Sequence, residues 1–352
     1  MQHNAHRPAL MALLLAAPLL IGSAQPAGAP TAPAAPDVSP AAADPTPDMV
    51  VDPATGALIP FIQPFDLDAT RRMAVDVTIG GQGPFSFLVD TGAERTVIAR
   101  ELAERLNLVP GEQLRLATIG GSATVPSFRV AALQMTDLEM TGLVAPAFYG
   151  RHIGAAGLIG VDMLEDRRVL IDFRKQHMEI LATRKRATPI IRDDDAIVVT
   201  ARNAAGRLIL SDARLDGKRI DLIVDTGAQT SVGNLALQRL VAARRANRVP
   251  FVETTLSAVT GEAVPATRTA IKRITVKGLD INDLPVSFAD SQAFRALGLD
   301  DRPALLLGMD SMSLFDRIEI DFPNRRVVFD LPSGASRETG QRFALNNARS
   351  GS

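Results

Sequence analysis

The fold of this chain is decided by a tetrapeptide that occurs twice, as Asp90-Thr91-Gly92-Ala93 and as Asp225-Thr226-Gly227-Ala228. Each copy follows a largely apolar run, Phe85–Val89 before the first and Ile220–Val224 before the second. Such a run indicates a buried strand, and the glycine shortly after it indicates a tight turn. Each copy therefore predicts a carboxylate on a turn at a strand end. Two copies predict two carboxylates that an internal twofold axis would bring together.

The repeat extends well beyond the tetrapeptide. A hydroxyl residue, Thr96 or Ser231, follows each copy after the same spacing. Each unit then has a hairpin with Gly at the turn, an apolar-Gly motif with an Asp two residues later, and a closing strand pair. The matching segments are Thr118–Pro126, Gly157–Leu164 and Val169–Ile180 in the first unit, and Val259–Pro265, Leu305–Met312 and Ile318–Phe329 in the second.

Short alternating strands with one or two short helices per unit predict a mostly β protein of two similar lobes. We place the N-terminal lobe at residues 67–186 and the C-terminal lobe at residues 187–334. The charge run Arg184–Pro189 between them is interpreted as a solvated linker. One helix is predicted near Ala99–Leu106 and another after Asn234, a good N-cap residue. Two lobes suit 352 residues, which are too many for one ordinary core.

The N-terminus carries the pattern of a secretory signal peptide at residues 1–24. His6 and Arg7 precede the apolar run Ala9–Ile21, which small residues follow. The run is short for a membrane span and Pro18 interrupts it, although an uncleaved anchor remains an alternative. The Ala/Pro-rich residues 25–66 predict a disordered linker, and residues 335–352 a disordered tail. We therefore expect a periplasmic or secreted protein.

Composition excludes several kinds of chemistry. There is no Cys, so disulfides, thiolate metal sites and Cys nucleophiles are excluded, and a net charge of −1 gives no indication of nucleic-acid binding. His152 and His177 lie in no metal or triad motif, so we interpret them as surface residues. Asp193–Asp195 lacks the spacing of a calcium loop and is interpreted as a solvated turn. Asp162 and Asp310 are interpreted as helix caps.

The motif Asp-Thr-Gly-Ala-x-x-[Ser/Thr], followed by apolar-apolar-Gly and an Asp, resembles the pepsin and retropepsin aspartic proteases. The resemblance is strongest to the retroviral-like branch found in exported bacterial proteins, and it covers about residues 70–332. It implies a bilobal acid-protease fold, with two homologous retropepsin-like β-barrel lobes related by a pseudo-twofold axis. It also implies an exported aspartic endopeptidase that needs no metal and no cofactor and that acts on extended polypeptide.

On this resemblance the catalytic dyad is Asp90 and Asp225. Two carboxyls that share a site cannot both ionise cheaply, an effect best known from aspartic proteases themselves, so they hold one proton between them and activate a water. The resemblance gives dyad-supporting roles to the other motif residues, which are Thr91, Gly92, Ala93, Thr226, Gly227 and Ala228. The glycines allow the turn, and the threonines are expected to bond across the lobe interface.

Ala93 and Ala228 stand where many pepsins have Ser or Thr. A hydroxyl there donates a hydrogen bond to the carboxylate and favours the charged form. Because Ala removes this donor, we expect a less acidic dyad and activity at mildly acidic to neutral pH.

The hairpins near Gly120, Gly121 and Gly261 are flap candidates. Closure of both would give a symmetric, retroviral-like site, whereas closure of the first alone would be pepsin-like; plain surface hairpins remain a further alternative. Pepsins carry a Tyr on their single flap, but Tyr149, the one Tyr of this chain, lies outside the hairpin. We expect a monomer. The alternatives are a protease active only as an inter-chain dimer and a non-catalytic peptide-binding or scaffold protein.

Overall fold

The computed structural model describes residues 61–64, 66–67, 72–135, 138–191, 196–204, 206–244 and 249–332. The predicted signal peptide, most of the predicted linker, the tail at residues 335–352 and the turn Asp193–Asp195 lie outside these residues. The short strand Phe61–Pro64 falls within the segment predicted as a disordered linker, and the strand Asp66–Leu67 crosses the end of that segment. Regular structure therefore starts before the predicted boundary at residue 67, because these strands pair with the edges of two sheets.

The chain is mostly β, as predicted. In chain order the strands are β1 (Phe61–Pro64), β2 (Asp66–Leu67), β3 (Met73–Ile79), β4 (Gln82–Val89), β5 (Val97–Ala99), β6 (Val109–Pro110), β7 (Leu114–Thr118), β8 (Gly121–Val125), β9 (Ser127–Met135), β10 (Leu138–Phe148), β11 (Gly157–Ile159), β12 (Arg167–Asp172), β13 (His177–Ala182), β14 (Ile197–Ala204), β15 (Arg207–Leu215), β16 (Lys218–Val224), β17 (Val232–Gly233), β18 (Val252–Ser257), β19 (Ala263–Val276), β20 (Leu279–Phe288), β21 (Ala304–Leu307), β22 (Arg317–Asp321) and β23 (Arg326–Asp330).

The helices are short. They are α1 (Arg100–Arg105), α2 (Gly150–Ile153), α3 (Leu235–Ala242), α4 (Gln292–Ala296) and α5 (Met309–Met312), with a 3₁₀ turn at Val161–Met163. The predicted Asn234 cap is confirmed, since its side chain accepts a hydrogen bond from the Leu237 N–H at 2.8 Å. Within the described residues, no helix has the length and apolar character that crossing a membrane requires.

Each lobe contains a closed six-stranded barrel. In the N-terminal lobe the order is β3-β4-β11-β5-β10-β9, and β9 pairs back onto β3. In the C-terminal lobe it is β15-β16-β21-β17-β20-β19, and β19 pairs back onto β15. Corresponding strands occupy corresponding places, so the prediction of two homologous barrel lobes is confirmed. The predicted lobe boundary falls between β13 and β14.

The alternation in β3 shows why these segments form barrel walls. Met73, Val75, Val77 and Ile79 are buried, while the residues between them are partly or fully exposed. Successive side chains of a strand point to opposite faces, so this pattern places one face of β3 in the barrel core.

An antiparallel sheet in the order β1-β13-β12-β22-β23-β14 joins the lobes, and the pairing of β14 with β15 continues it into the C-terminal barrel. Its central pair, β12 with β22, brings together one strand from each lobe. Arg168 of the first lobe donates to Asp321 of the second at 2.9 Å, and Arg326 donates to the same carboxylate at 2.7 Å. Glu319 is fully buried beside them. Its Oε1 faces Arg168, and its Oε2 accepts a hydrogen bond from the Ile190 N–H. We call Arg168, Glu319, Asp321 and Arg326 the interlobe ion cluster.

Candidate active site

The two Asp-Thr-Gly-Ala turns occupy equivalent places in the two barrels. The first follows β4, which runs parallel to β11, and the second follows β16, which runs parallel to β21. The backbone N–H of Asp90 continues the first pairing onto the Ile159 carbonyl at 2.9 Å, and that of Asp225 continues the second onto Leu307 at 3.1 Å. Each carboxyl is therefore anchored at the end of a central barrel strand.

The structure brings Asp90 and Asp225 together. A Cβ atom built on Gly227 would overlap the Asp90 carboxyl, and one built on Gly92 would overlap the Asp225 carboxyl. Each carboxyl thus lies against the glycine of the opposite lobe, which places the two carboxyls side by side. Both side chains are almost fully enclosed, with exposed fractions of 3% and 7%. Only glycine permits this approach, which explains its place in both motifs.

Backbone N–H groups donate hydrogen bonds to one oxygen, Oδ1, of each carboxyl. Two N–H groups from the same turn donate to each Oδ1 at 2.8–3.1 Å, and they belong to Gly92 and Ala93 for Asp90 and to Gly227 and Ala228 for Asp225. These bonds stabilise the ionised form and fix the orientation of the carboxyls.

The pair has the electrostatics of two buried acids. Burial raises the pKa of Asp90 well above its ordinary value, and the charge of Asp225 raises it further, against the two backbone N–H bonds. Burial also raises the pKa of Asp225, with the N–H groups of Ala228 and Gly227 and the charge of Arg207 opposing the rise. The largest cause of both rises is burial, which the tetrapeptide itself does not reveal. The expected contribution of Ala93 and Ala228 stays a prediction.

Thr91 and Thr226 lock the two turns together across the lobes. The Thr91 N–H donates to Thr226 Oγ1 at 3.0 Å, and the Thr226 N–H donates to Thr91 Oγ1 at 3.1 Å. Each hydroxyl in turn donates to a carbonyl of the opposite lobe, that of Val224 at 3.0 Å or that of Val89 at 2.7 Å. The structure thus places these side chains in the cross-lobe contact that the resemblance implied.

We expect Thr226→Val to lower the free energy of unfolding by about 2 kcal/mol, because it leaves the buried Val89 carbonyl and Thr91 N–H unpaired. Urea unfolding monitored by circular dichroism measures the loss. Thr200→Val, on the exposed side of β14, is the matched control and should stay within about 0.5 kcal/mol of wild type. Equal stability of both variants would contradict a stabilising role for the interlock.

The interpretation of Asp162 and Asp310 as helix caps is wrong. The N-cap positions are held by Gly160 and Gly308, and each aspartate is the second residue of its helical turn. The Asp162 carboxylate accepts from the N–H and the Oγ1 of Thr96, and the Asp310 carboxylate accepts from the same groups of Ser231. Both aspartates therefore brace the segment that follows a dyad turn. The recurrence of these Asp and hydroxyl residues in both units was the sequence signal for the contact.

Gly160 and Gly308 lie against the same segments. A Cβ atom on Gly160 would overlap the backbone of Arg95, and one on Gly308 would overlap that of Thr230. Their N–H groups donate to Thr96 Oγ1 and Ser231 Oγ, both at 3.1 Å.

The two flap-candidate hairpins contact each other. The first is β7-β8, with Gly120 at its tip, and the second is β18-β19, with Gly261 in its turn. Gly120 lies against Glu262 of the second hairpin, and Ile119 packs on a small apolar cluster that includes Ala258. Gly121 has a φ of +147° in the first turn, which favours glycine.

Each hairpin also touches a helix of the opposite lobe. The first packs against α4, and the tip of the second meets His152, which belongs to α2. His152 is half-buried and packs edge-on against the Tyr149 ring, so it is a contact residue between lobes and not a free surface residue. His177 is also half-buried and hydrogen-bonds to Glu179 at 3.0 Å.

Sequence reasoning missed Arg207, whose side chain is fully buried beside the dyad. Its Nε donates to the Gly92 carbonyl at 2.9 Å, and its Nη2 lies 3.8 Å from a carboxylate oxygen of Glu94. The only available signal was that an arginine, Arg72, stands the same number of residues before the first aspartate. Across the described ranges, no group of three or more His, Asp or Glu side chains is arranged to hold a metal ion.

Two barrels that each supply one carboxyl to a shared buried pair define an acid-protease arrangement, and comparison with known proteins agrees. The aspartyl protease family profile matches residues 75–163 and 211–311, and the chain belongs to this family. A solved structure, the retropepsin-like aspartic protease from Rickettsia conorii, is 21% identical over 39% of this chain and 90% of its own, with a TM-score of 0.28. No curated protein sequence matches the chain.

Proposed function

We propose that this chain is an exported aspartic endopeptidase that hydrolyses peptide bonds with Asp90 and Asp225 as its catalytic dyad. The observation that carries the proposal is the pair of buried carboxyls, one from each lobe, each of which lies against the glycine of the opposite turn. Burial and the mutual repulsion of the two charges favour a state with one shared proton, which is the state that acid–base hydrolysis needs.

In this reaction the ionised carboxyl accepts a proton from a water as the water oxygen attacks the peptide carbonyl carbon. The protonated carboxyl donates its proton to the carbonyl oxygen, which gives a gem-diol. On collapse, one gem-diol hydroxyl returns its proton to the carboxyl that donated to the carbonyl oxygen. The carboxyl that took the water proton protonates the amide nitrogen, and the C–N bond breaks. The pair ends with one proton, as it began. No covalent enzyme intermediate forms.

The substrate of the proposed reaction is a polypeptide in extended conformation. An extended peptide offers free backbone N–H and C=O groups, which a β-rich site binds by adding hydrogen-bonded pairs. We assign both hairpins as flaps over this substrate, since they contact each other and share equivalent places in the two lobes. The site would then be closed from both lobes, like that of a symmetric protease.

Both carboxyls belong to one chain, which supports a monomer as the active unit. The interlobe sheet and the threonine interlock connect the two barrels within that chain. Light scattering of the active protein should give a mass near 37.5 kDa, less any segment removed on export. A mass twice as large, with activity that falls on dilution, would favour the inter-chain dimer.

The function is tested by incubating the protein with a denatured protein and a broad peptide library. New amino and carboxyl termini, identified by mass spectrometry, are the expected products, and the metal chelator EDTA should not prevent their formation. The assay is repeated after removal of residues before Phe61. Absence of cleavage by either form at every pH would favour the non-catalytic peptide-binding alternative. Cell fractionation with N-terminal sequencing tests export.

We expect kcat/KM to peak between mildly acidic and neutral pH. Activity requires one ionised and one protonated carboxyl, and the raised pKa values of both aspartates move this state upward in pH. A pH–rate profile on a cleaved peptide measures the optimum. A maximum well below pH ~4, the ordinary carboxyl range, would contradict the expectation.

A further inference from the structure

One buried cation lies beside the aspartate pair and crosses from lobe to lobe. Arg207 begins β15 of the C-terminal lobe, and its Nε donates to the carbonyl of Gly92 in the Asp90 turn at 2.9 Å. Its terminal nitrogens, Nη1 and Nη2, are also buried, and neither has a hydrogen-bond partner among the described residues. Burying a guanidinium whose two terminal nitrogens make no hydrogen bond with the described residues destabilises the fold, so the buried charge needs an electrostatic reason.

That reason lies in three neighbouring carboxyl groups. Burial lowers the pKa of Arg207 to about 10, while the charges of Glu94, Asp225 and Asp90, in decreasing order of effect, raise it. The side chain therefore remains a cation through neutral pH. Gly92, whose carbonyl accepts the Arg207 hydrogen bond, is also the glycine against which the Asp225 carboxyl lies, so the cation is held beside Asp225.

The pseudo-twofold axis does not repeat this arrangement. Arg72 is the sequence counterpart of Arg207, but its Nη2 donates at 2.9 Å to the Ile153 carbonyl of its own lobe. The counterpart of Glu94 is the uncharged Gln229. The two halves of the site thus share their motifs but differ in the charges that face the carboxyls.

We propose that Arg207 is a positioning residue whose buried charge makes the two carboxyls inequivalent, favouring Asp225 as the carboxylate and leaving the shared proton on Asp90. The inference rests on the proposed function for its catalytic meaning. The charge of Arg207 lowers the pKa of Asp225, and the charge of Asp225 raises that of Asp90, so the two effects act in the same sense. Asp225 then accepts the proton of the attacking water, and Asp90 donates to the peptide carbonyl.

Arg207→Met tests the proposal, because Met fills a similar volume without charge. Removal of the cation should raise the pKa of Asp225, so the acidic limb of the kcat/KM profile should move to higher pH by about one unit. Arg207→Lys, which keeps the charge, should lie closer to wild type. Arg72→Met is the matched control at the equivalent position and should leave the profile unchanged. A uniform loss of rate in Arg207→Met with unmoved limbs would overturn the proposal.

Glu94→Gln provides a second test with the opposite sign. Glu94 is the other charged group facing Arg207, so its neutralisation should strengthen the action of Arg207 on Asp225 and move the acidic limb to lower pH. This variant leaves Arg207 in place and keeps the proposal testable if Arg207→Met fails to fold. A shift to higher pH, or no shift, would count against the proposal.

A readout that needs no turnover separates this inference from the proposed function. Carbon-13 NMR of labelled Asp carboxyls, assigned with Asp90→Asn and Asp225→Asn, follows each titration directly. We expect Asp225 to ionise at lower pH than Asp90 in the wild type, and its titration to move upward in Arg207→Met. This result without peptide cleavage would sustain the inference and defeat the proposed function. Peptide cleavage together with an Asp225 titration that is the same in the wild type and in Arg207→Met would sustain the proposed function and overturn the inference.

Discussion

Replacing Asp90 by Asn should lower kcat/KM for peptide cleavage by about 10³-fold while leaving the folded protein at least as stable at neutral pH. The amide oxygen still accepts the N–H bonds of Gly92 and Ala93, so the turn is retained. What is lost is a carboxyl that carries or accepts a proton. Asp225→Asn should give a comparable loss, since each step of the proposed reaction uses both groups.

The stability part of this prediction has a definite sign. The folded-state pKa of Asp90 lies above its unfolded value because of burial and the charge of Asp225, so the carboxyl binds protons more readily in the folded state. Wild-type stability therefore falls as pH rises from the unfolded pKa through the folded one. Asp90→Asn avoids that fall, so its advantage should be absent below pH ~3.9 and fully present above the folded-state pKa.

Urea unfolding of both proteins across this pH range measures the advantage. Asp76→Asn, at an exposed position of β3, controls for the substitution itself and should change neither activity nor stability appreciably. Peptide cleavage that survives in Asp90→Asn or in Asp225→Asn would remove the dyad assignment. Lower stability of Asp90→Asn at neutral pH would contradict the electrostatic account.

Replacing Asp321 by Asn should lower the free energy of unfolding by about 3–5 kcal/mol, because it removes one charge from the buried interlobe ion cluster. Arg168 and Arg326 both donate to this carboxylate, and among the described residues Glu319 would be left as the carboxylate that faces the two cations. The Asn oxygen keeps the turn hydrogen bond from the Asn324 N–H, so the loss in free energy of unfolding measures the removal of the Asp321 charge. Urea unfolding at neutral pH measures it.

Asp172→Asn is the matched control for this variant. Asp172 stands at the equivalent place of the first lobe and is buried, but in the part of the chain that the structure describes its ion pair is a 3.9 Å contact with the exposed Lys175. Its turn bonds from Arg174 and Lys175 N–H groups survive in the amide, so we expect a loss of no more than about 1 kcal/mol. Similar losses in both variants would show that the interlobe ion cluster contributes nothing special to lobe association.

Much of the fold was predictable because the chain repeats its own pattern. Two copies of a strand, a turn, a hairpin and a closing strand pair predict two alike lobes, and the equivalence of Asp90 and Asp225 predicts that both belong to one site. Local rules sufficed for Asn234, whose capping contact lies three residues away. The same rules failed for Asp162 and Asp310, because their partners lie many residues distant in sequence and on another element.

Contacts that only the assembled lobes create were beyond sequence reasoning. The burial that dominates the electrostatics of Asp90 arises from the approach of the other lobe, and so does the contact between Arg207 and Gly92. The strand Phe61–Pro64 was missed for a different reason. Its composition lacks a strong strand pattern, and its order comes from pairing with the edge of β13.

The crossed support of the two hairpins has a mechanical consequence. The first hairpin rests on α4 of the C-terminal lobe, and the second rests on His152 of the N-terminal lobe. A rotation that widens the gap between the barrels would therefore break the contacts of both hairpins, with α4 and with His152, at the same time. We therefore expect opening of the hairpins and hinging of the lobes to be coupled into a single movement.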